Sequence, residues 1–282
     1  MELKYKDLSL ALLAVIIWGA GFPIFKIGLY YSDPVTYAFF RASIGTIVLL
    51  LVNIQEELKK ILIAYYRKIL VIGFLNTTLL TLCLVYTIAY SLAGIASILI
   101  YSQVLFTSLL ARVLIKEKLT IIKYLGILIG FSGIILVSTI GKISLISTIP
   151  GLLGGFVWGL FNTLYKKFNF KENQVSITAL QSALGTPIIL LFALLPGHNF
   201  KVVPNLEFLL SVLYQGALGS GIAYLIWFKL LDKYKATLIS SFSMGVPAVA
   251  LTVSWILLNE QLTLNQLFGI SLVFLGILLV LI

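Results

Sequence analysis

The chain has 282 residues, 60% of them apolar and 11% charged, with a net charge of +10 and a mean hydropathy of +1.09. A soluble domain is about 45–50% apolar and about 25% charged, and surface-to-volume scaling leaves it a large surface to cover with polar groups. The apolar excess excludes a soluble enzyme or nucleic-acid-binding protein and predicts a polytopic membrane protein.

In chain order, apolar stretches predict ten spans, at roughly 8–29, 35–53, 69–90, 94–114, 122–140, 149–168, 175–195, 207–229, 236–258 and 264–282. Each approaches the ~20 residues a helix needs to cross about 30 Å of hydrocarbon. The run after Lys4 and Lys6 is long for the apolar region of a signal peptide, and no A-x-A-like site follows, so it reads as the first span. The basic residues lie mainly between spans, which suits anionic lipid headgroups rather than nucleic acid. Cys83 is the sole cysteine and His198 the sole histidine. No intramolecular disulfide, His/Cys metal cluster or other cofactor is implied.

The chain repeats itself. Glu117–Val137 set against Glu260–Val280 gives ten identities in 21 positions, among them Glu117/Glu260, Thr120/Thr263, Gly126/Gly269 and Gly133/Gly276. At a spacing of 140, Trp18-Gly19 meets Trp158-Gly159 and Lys26 meets Lys166, while Val35, Gly45 and Thr46 meet Val175, Gly185 and Thr186. Residues 1–137 and 149–282 then form two five-span units joined by 138–148.

Five is odd, so the second unit must enter the membrane upside down. With the N-terminus inside, 16 of the 20 basic residues fall on the cytoplasmic side, as the positive-inside rule requires. Equivalent loops change charge between units: Lys116-Glu117-Lys118 becomes Asn259-Glu260-Gln261. The expected fold is all-α and integral to the membrane, ten transmembrane helices as two inverted five-helix repeats. Secondary transporters commonly share this plan, with the site near the midplane between repeats.

These motifs resemble the drug/metabolite transporter superfamily, specifically its ten-helix EamA-type members. The resemblance rests on Trp18-Gly19, Lys26, Pro34 and Arg41, on Ile115-Lys116-Glu117 and Leu258-Asn259-Glu260, and on Gly126, Gly133, Gly269 and Gly276. It covers nearly the whole chain. Lys116 and Asn259 depart from it, standing where glycine is frequent, and Val104 stands where the second half has Pro247. The resemblance implies a central cavity and export of small organic metabolites, amino acids or related compounds, across the cytoplasmic membrane. Uptake or exchange of sugars or nucleotide-linked compounds is the alternative within transport. A non-transporting membrane assembly partner is the alternative outside it, and the short loops argue against that.

Polar and aromatic side chains recurring on helix faces give the candidate cavity: Trp18, Phe22, Asn76, Tyr86, Tyr101, Trp158, Asn162, Tyr224 and Ser243. Aromatic walls with a few hydroxyl and amide groups suit an amphipathic solute. The same residue types also serve plain helix packing and interfacial anchoring. Arg41 lies within a span, where an ionised side chain costs about 2.5–3.5 kcal/mol on insertion scales. It therefore faces protein or water, as an anion site or a structural donor. Glu117 and Glu260 close the fourth and ninth spans, as gating groups or as helix-end groups that fix a turn. The glycine pairs favour close helix packing, with a homodimer as one use of it. No H-E-x-x-H, G-x-S-x-G or P-loop motif occurs, so the chain is not expected to be an enzyme. The expected partners are a small-molecule substrate and membrane lipids.

Overall fold

The computed structural model describes residues 5–53, 58–140, 145–170, 173–195, 200–234, 242–243 and 245–281. Lys4, His198, part of the 138–148 linker and the first residues of the ninth expected span lie outside the described residues. The regular structure of the described residues is helical, α-helical apart from two π-helical stretches. The helices are α1 Tyr5–Leu29, α2 Pro34–Val52, α3 Leu58–Tyr90, α4 Ala93–Leu114 and α5 Ile121–Ile140 in the first half. The second half holds α6 Leu145–Phe168, α7 Gln174–Ala193, α8 from Leu206 to Lys233, α9 Gly245–Leu258 and α10 Leu264–Leu281. Seven helices are long and apolar enough to cross a membrane, while α5, α9 and α10 contribute shorter apolar stretches. The helix α3 starts eleven residues before its expected span, because Leu58–Ile72 is amphipathic and carries Lys59, Lys60, Arg67 and Lys68.

Local chemistry starts the helices at matching places. Asp33 precedes Pro34 and accepts hydrogen bonds from the Val35 and Thr36 N–H groups at 3.1 and 3.0 Å. Its repeat copy, Asn173, accepts from Val175 N–H at 2.8 Å. A side-chain acceptor at this position satisfies donors that the first helical turn leaves orphaned, and proline at the first position loses nothing there.

Two features escape a hydropathy reading. Within α3, Gly73–Leu79 is π-helical. Helix α8 runs as Leu206–Leu213, a π-helical stretch Tyr214–Ile222, then Ala223–Lys233. Residues 73–79 copied forward by 143 positions fall inside 214–222, so both repeats widen the same helix at the same depth. Inserted π turns free backbone carbonyls from the regular ladder and cluster at functional sites.

Packing between halves comes in matched pairs. Helix α1 packs on α9 as α6 packs on α4; α1 lies beside α8 as α6 lies beside α3. Helices α2 and α7, copies of one another, pack together, as do α5 and α10. The arrangement is a pseudo-two-fold one. With five helices per half, it places the second repeat inverted relative to the first.

The glycine pairs have an internal use. A Cβ on Gly126 would lie 2.7 Å from the Gly276 carbonyl oxygen, and one on Gly133 would lie 2.6 Å from that of Gly269. Helix α5 therefore runs antiparallel to α10 at backbone-contact distance, the close approach small residues permit in lipid. The glycine faces are buried between halves of one chain, so they offer no surface to a second subunit. The outward faces carry Leu12, Ile16, Ile47, Leu128, Ile135, Trp255 and Phe268, all exposed, as a lipid-facing surface requires.

Candidate functional site

A cavity with about 110 Å³ of room for water lies between the halves, several times the ~10–15 Å³ one water needs. Helices α1, α2, α3, α4, α6, α7 and α8 line it, with the two π-helical stretches at its middle.

Its walls are aromatic. Trp18 from α1 meets Tyr224 and Trp227 edge-on, with ring centroids 5.7 and 5.1 Å apart. The Trp18 indole N–H donates to the Gly219 carbonyl at 2.9 Å, a carbonyl in the π-helical stretch of α8. Trp158, the repeat copy of Trp18, packs edge-on against Tyr101 at 5.1 Å, and Tyr101 packs against Phe22 at 6.3 Å. The recurring tryptophans thus line one chamber, one from each half.

Its polar groups are few. Arg41 points its guanidinium into the cavity, where Nη1 donates to Thr81 Oγ1 at 3.4 Å and the group lies 5.7 Å from the Phe25 ring centroid. Asn76 and Tyr224 stand on the same wall, and Arg41 is within electrostatic reach of Tyr224. No Asp, Glu or His is among the lining residues. Among the described residues no group of three His, Cys, Asp or Glu side chains converges to hold a metal.

Above and below, aromatic clusters occupy copied positions. Phe25 stacks on Tyr37 at 4.4 Å, and Tyr37 meets Phe208 edge-on at 6.0 Å while its hydroxyl hydrogen-bonds Ser211. At the other end Tyr165, Tyr65 and Phe170 cluster, with Tyr65 and Tyr165 each about 5 Å from Phe170. Tyr165 is the copy of Phe25, and Phe208 the copy of Tyr65. The first cluster is buried and the second half-buried.

Of the sequence candidates, Trp18, Phe22, Asn76, Tyr101, Trp158, Tyr224 and Arg41 line the cavity. Three do not. Tyr86 lies on the other face of α3 from Thr81, Leu84 and Ile88, and stacks on Tyr90. Asn162 is turned to α4, donating to Gln103 Oε1 at 2.8 Å. Ser243 is buried just before α9, its carbonyl accepting from Val246 N–H. The two glutamates stand at opposite ends, outside the lining. Glu260 accepts from Ala93 and Gly94 N–H at 2.8 and 3.2 Å, capping α4 from the other half. Beside it, the Lys26 ammonium donates to the Ser91 carbonyl. The copies of these residues, Glu117 and Lys166, form an ion pair that is largely exposed.

Sequence reasoning missed Thr46, Thr81, Ser182 and Gln215, all on the lining. Recurrence is the signal that finds one of them: Thr46 copies to Thr186. Gln215 has no polar counterpart, and only the structure shows its amide donating to the Gly21 carbonyl.

The EamA-like transporter family matches this chain twice, over residues 6–139 and 145–282. A Bacillus subtilis protein named "Uncharacterized transporter YvbV" is 28% identical over 280 residues, spanning 98% of this chain and 92% of that one. An Escherichia coli protein named "Probable amino-acid metabolite efflux pump" is 27% identical over 286 residues, spanning 96% and 93%. A protein of known crystal structure shares the fold at a TM-score of 0.69 and 14% identity, over 98% of this chain and 96% of its own. The chain belongs to the EamA-like transporter family and is a multi-pass membrane transporter, not an enzyme.

Proposed function

We propose that the protein exports amino acids or related small metabolites across the cytoplasmic membrane by alternating access, with both termini in the cytoplasm. The observation that carries this reading is the position of the cavity. It lies between two inverted halves, with one tryptophan from each half on its wall and an aromatic cluster of copied positions at either end. Rocking one half against the other would exchange the buried cluster for the half-buried one while the same chamber holds the cargo. The charge distribution supports the orientation. The name of the Escherichia coli relative favours amino-acid metabolites among the cargoes and efflux as the direction. Because no carboxylate or histidine is among the described residues that line the cavity, transport in this reading runs down the cargo gradient or by exchange, without an obligatory proton.

Counterflow into proteoliposomes tests it. Vesicles loaded with an unlabelled amino acid should accumulate the labelled one when protein is present, and a pH gradient alone should drive no concentration. Accumulation of labelled sugars or nucleosides instead, or amino-acid uptake driven only by the pH gradient, overturns the corresponding part.

A further inference from the structure

The cavity holds two buried polar atoms whose requirements the protein leaves unmet. Arg41 Nε is a donor shielded from solvent and without a hydrogen-bond partner, and Asn76 Oδ1 is an acceptor in the same condition. Both residues line the same chamber, with Tyr224 on the same lining and within electrostatic reach of Arg41. Among the described residues Arg41 makes no ion pair; its one side-chain hydrogen bond, to Thr81, is long at 3.4 Å.

An unmatched cation and an unmatched acceptor on the wall of one chamber are costly when shielded from solvent. A structural arginine would meet a carboxylate or a set of helix-end carbonyls. This one meets a threonine hydroxyl and an aromatic face. The repeat strengthens the point. Copied forward by 140 positions, Arg41 becomes Gln181, so the guanidinium belongs to one half only. The chamber is close to symmetric in its tryptophans and asymmetric in its charge, which suits a cargo with one anionic end.

From this geometry we infer that Arg41 and Asn76 form the recognition site for the α-amino-acid head group, resting on the transport reading above. The guanidinium takes the α-carboxylate through Nε and a second N–H, the forked geometry that arginine offers and lysine does not. Asn76 Oδ1, without a partner in the protein, accepts from the α-ammonium. The side chain of the cargo then lies against Trp18, Phe22, Tyr101 and Trp158. Selection is therefore strict at the head group and loose at the side chain, because aromatic walls accept any apolar surface of suitable size.

The test compares matched ligands on purified protein in nanodiscs, read by thermal shift and tryptophan fluorescence. The probes are L-phenylalanine, 3-phenylpropionate, which lacks the ammonium, and 2-phenylethylamine, which lacks the carboxylate; L-leucine, isocaproate and isoamylamine repeat the comparison on a second side chain. In the wild type each amino acid should bind at least about ten-fold more tightly than either of its analogues. Arg41→Met should bring the amino acid and its amine to the same affinity, and Arg41→Lys should restore part of the difference. Asn76→Leu should erase the difference between the amino acid and the desamino acid while leaving the carboxylate preference. Equal affinity across either wild-type set overturns the site, as does discrimination that survives Arg41→Met or an absence of amino-acid binding. If Arg41→Met does not fold, the wild-type comparison decides alone. Amines carried as fast as amino acids in the counterflow assay would sink this inference and leave export standing. Sugar or nucleoside flux without amino-acid flux would sink both.

Discussion

Thr46 Oγ1 and Thr186 Oγ1 lie 2.9 Å apart across the contact between α2 and α7, and the two threonines are the same position counted in the two repeats. A residue can meet its own copy only where the axis relating the halves passes between them. The axis therefore crosses the molecule at this hydrogen bond, beside the cavity that Thr46 lines.

This pair gives a test of coupling between the halves. Thr46→Val or Thr186→Val alone strands the remaining buried hydroxyl and should cost about 1–3 kcal/mol. The double variant removes both groups and should cost less than the sum by at least about 0.5 kcal/mol. Thermal unfolding of the four proteins in one detergent completes the cycle; strict additivity would show that the bond carries no stability.

The α5–α10 seam makes a sharper prediction. A Cβ at Gly276 would sit 2.6 Å from the Gly126 carbonyl oxygen, with Gly130 backbone on its other side, and backbone cannot give way as a flexible side chain can. Gly276→Ala should destabilise by at least about 2–3 kcal/mol, the upper range of overpacking, and lower the yield of monodisperse protein. At Gly219 the nearest atom to an added Cβ is 3.4 Å away, so Gly219→Ala should leave the elution profile unchanged. Equal behaviour of the two variants would contradict the seam.

Backbone conformation explains two departures from the family pattern. Lys116 has φ of 58° and its copy, Asn259, φ of 51°. In each case the following glutamate N–H reaches back to a carbonyl of the preceding helix, Ala111 or Ser254. Left-handed backbone just past a helix end is where glycine is favoured, and a lysine there pays about 1–2 kcal/mol in strain. Lys116→Gly should raise stability by about 0.5–1 kcal/mol once the entropy of the unfolded chain is set against that strain. Asn259→Gly should gain less, because asparagine tolerates this conformation. Melting temperatures of the two variants, compared with wild type, check the ranking.

Orientation is open to chemical labelling. Cys83 is buried and can be replaced by serine, leaving a cysteine-free background. Single cysteines at Lys59 and Lys201, both exposed, should then respond differently to an impermeant thiol reagent on intact cells. Labelling at 201 with protection at 59 fits cytoplasmic termini; the opposite pattern reverses the orientation and, with it, which aromatic cluster faces outward.

Much of the architecture was legible because hydropathy varies on the length scale of a span and the repeat preserves Trp-Gly, Glu-x-Leu-Thr and glycine positions. The π-helical stretches were not, since Gly73–Leu79 and Tyr214–Ile222 carry no charge or proline that would break the apolar run read as a span. That limit carried into the site. Trp18 and Trp158 could be paired by recurrence alone. The facing of Tyr86 could not be read, because the polar residues around it, Thr81, Thr87 and Tyr90, fall on different sides of the helix and set no phase. Asn162 and Gln103 satisfy one another across α4 and α6, a long-range partnership that no local spacing announces. Glu260 likewise caps a helix that begins 167 residues before it.

The glycine seam bears on why both halves occur in a single polypeptide. Each half presents one helix whose glycine face fits only the same face turned end over end. A half-length protein would have its complement ready in any second copy that entered the membrane the other way up, and half its molecules would have to do so. Joining the halves removes that lottery. Every chain delivers one copy in each direction, in equal number, and the two copies can then differ as their orientations require: Lys116-Glu117-Lys118 in one against Asn259-Glu260-Gln261 in the other, and Arg41 against Gln181.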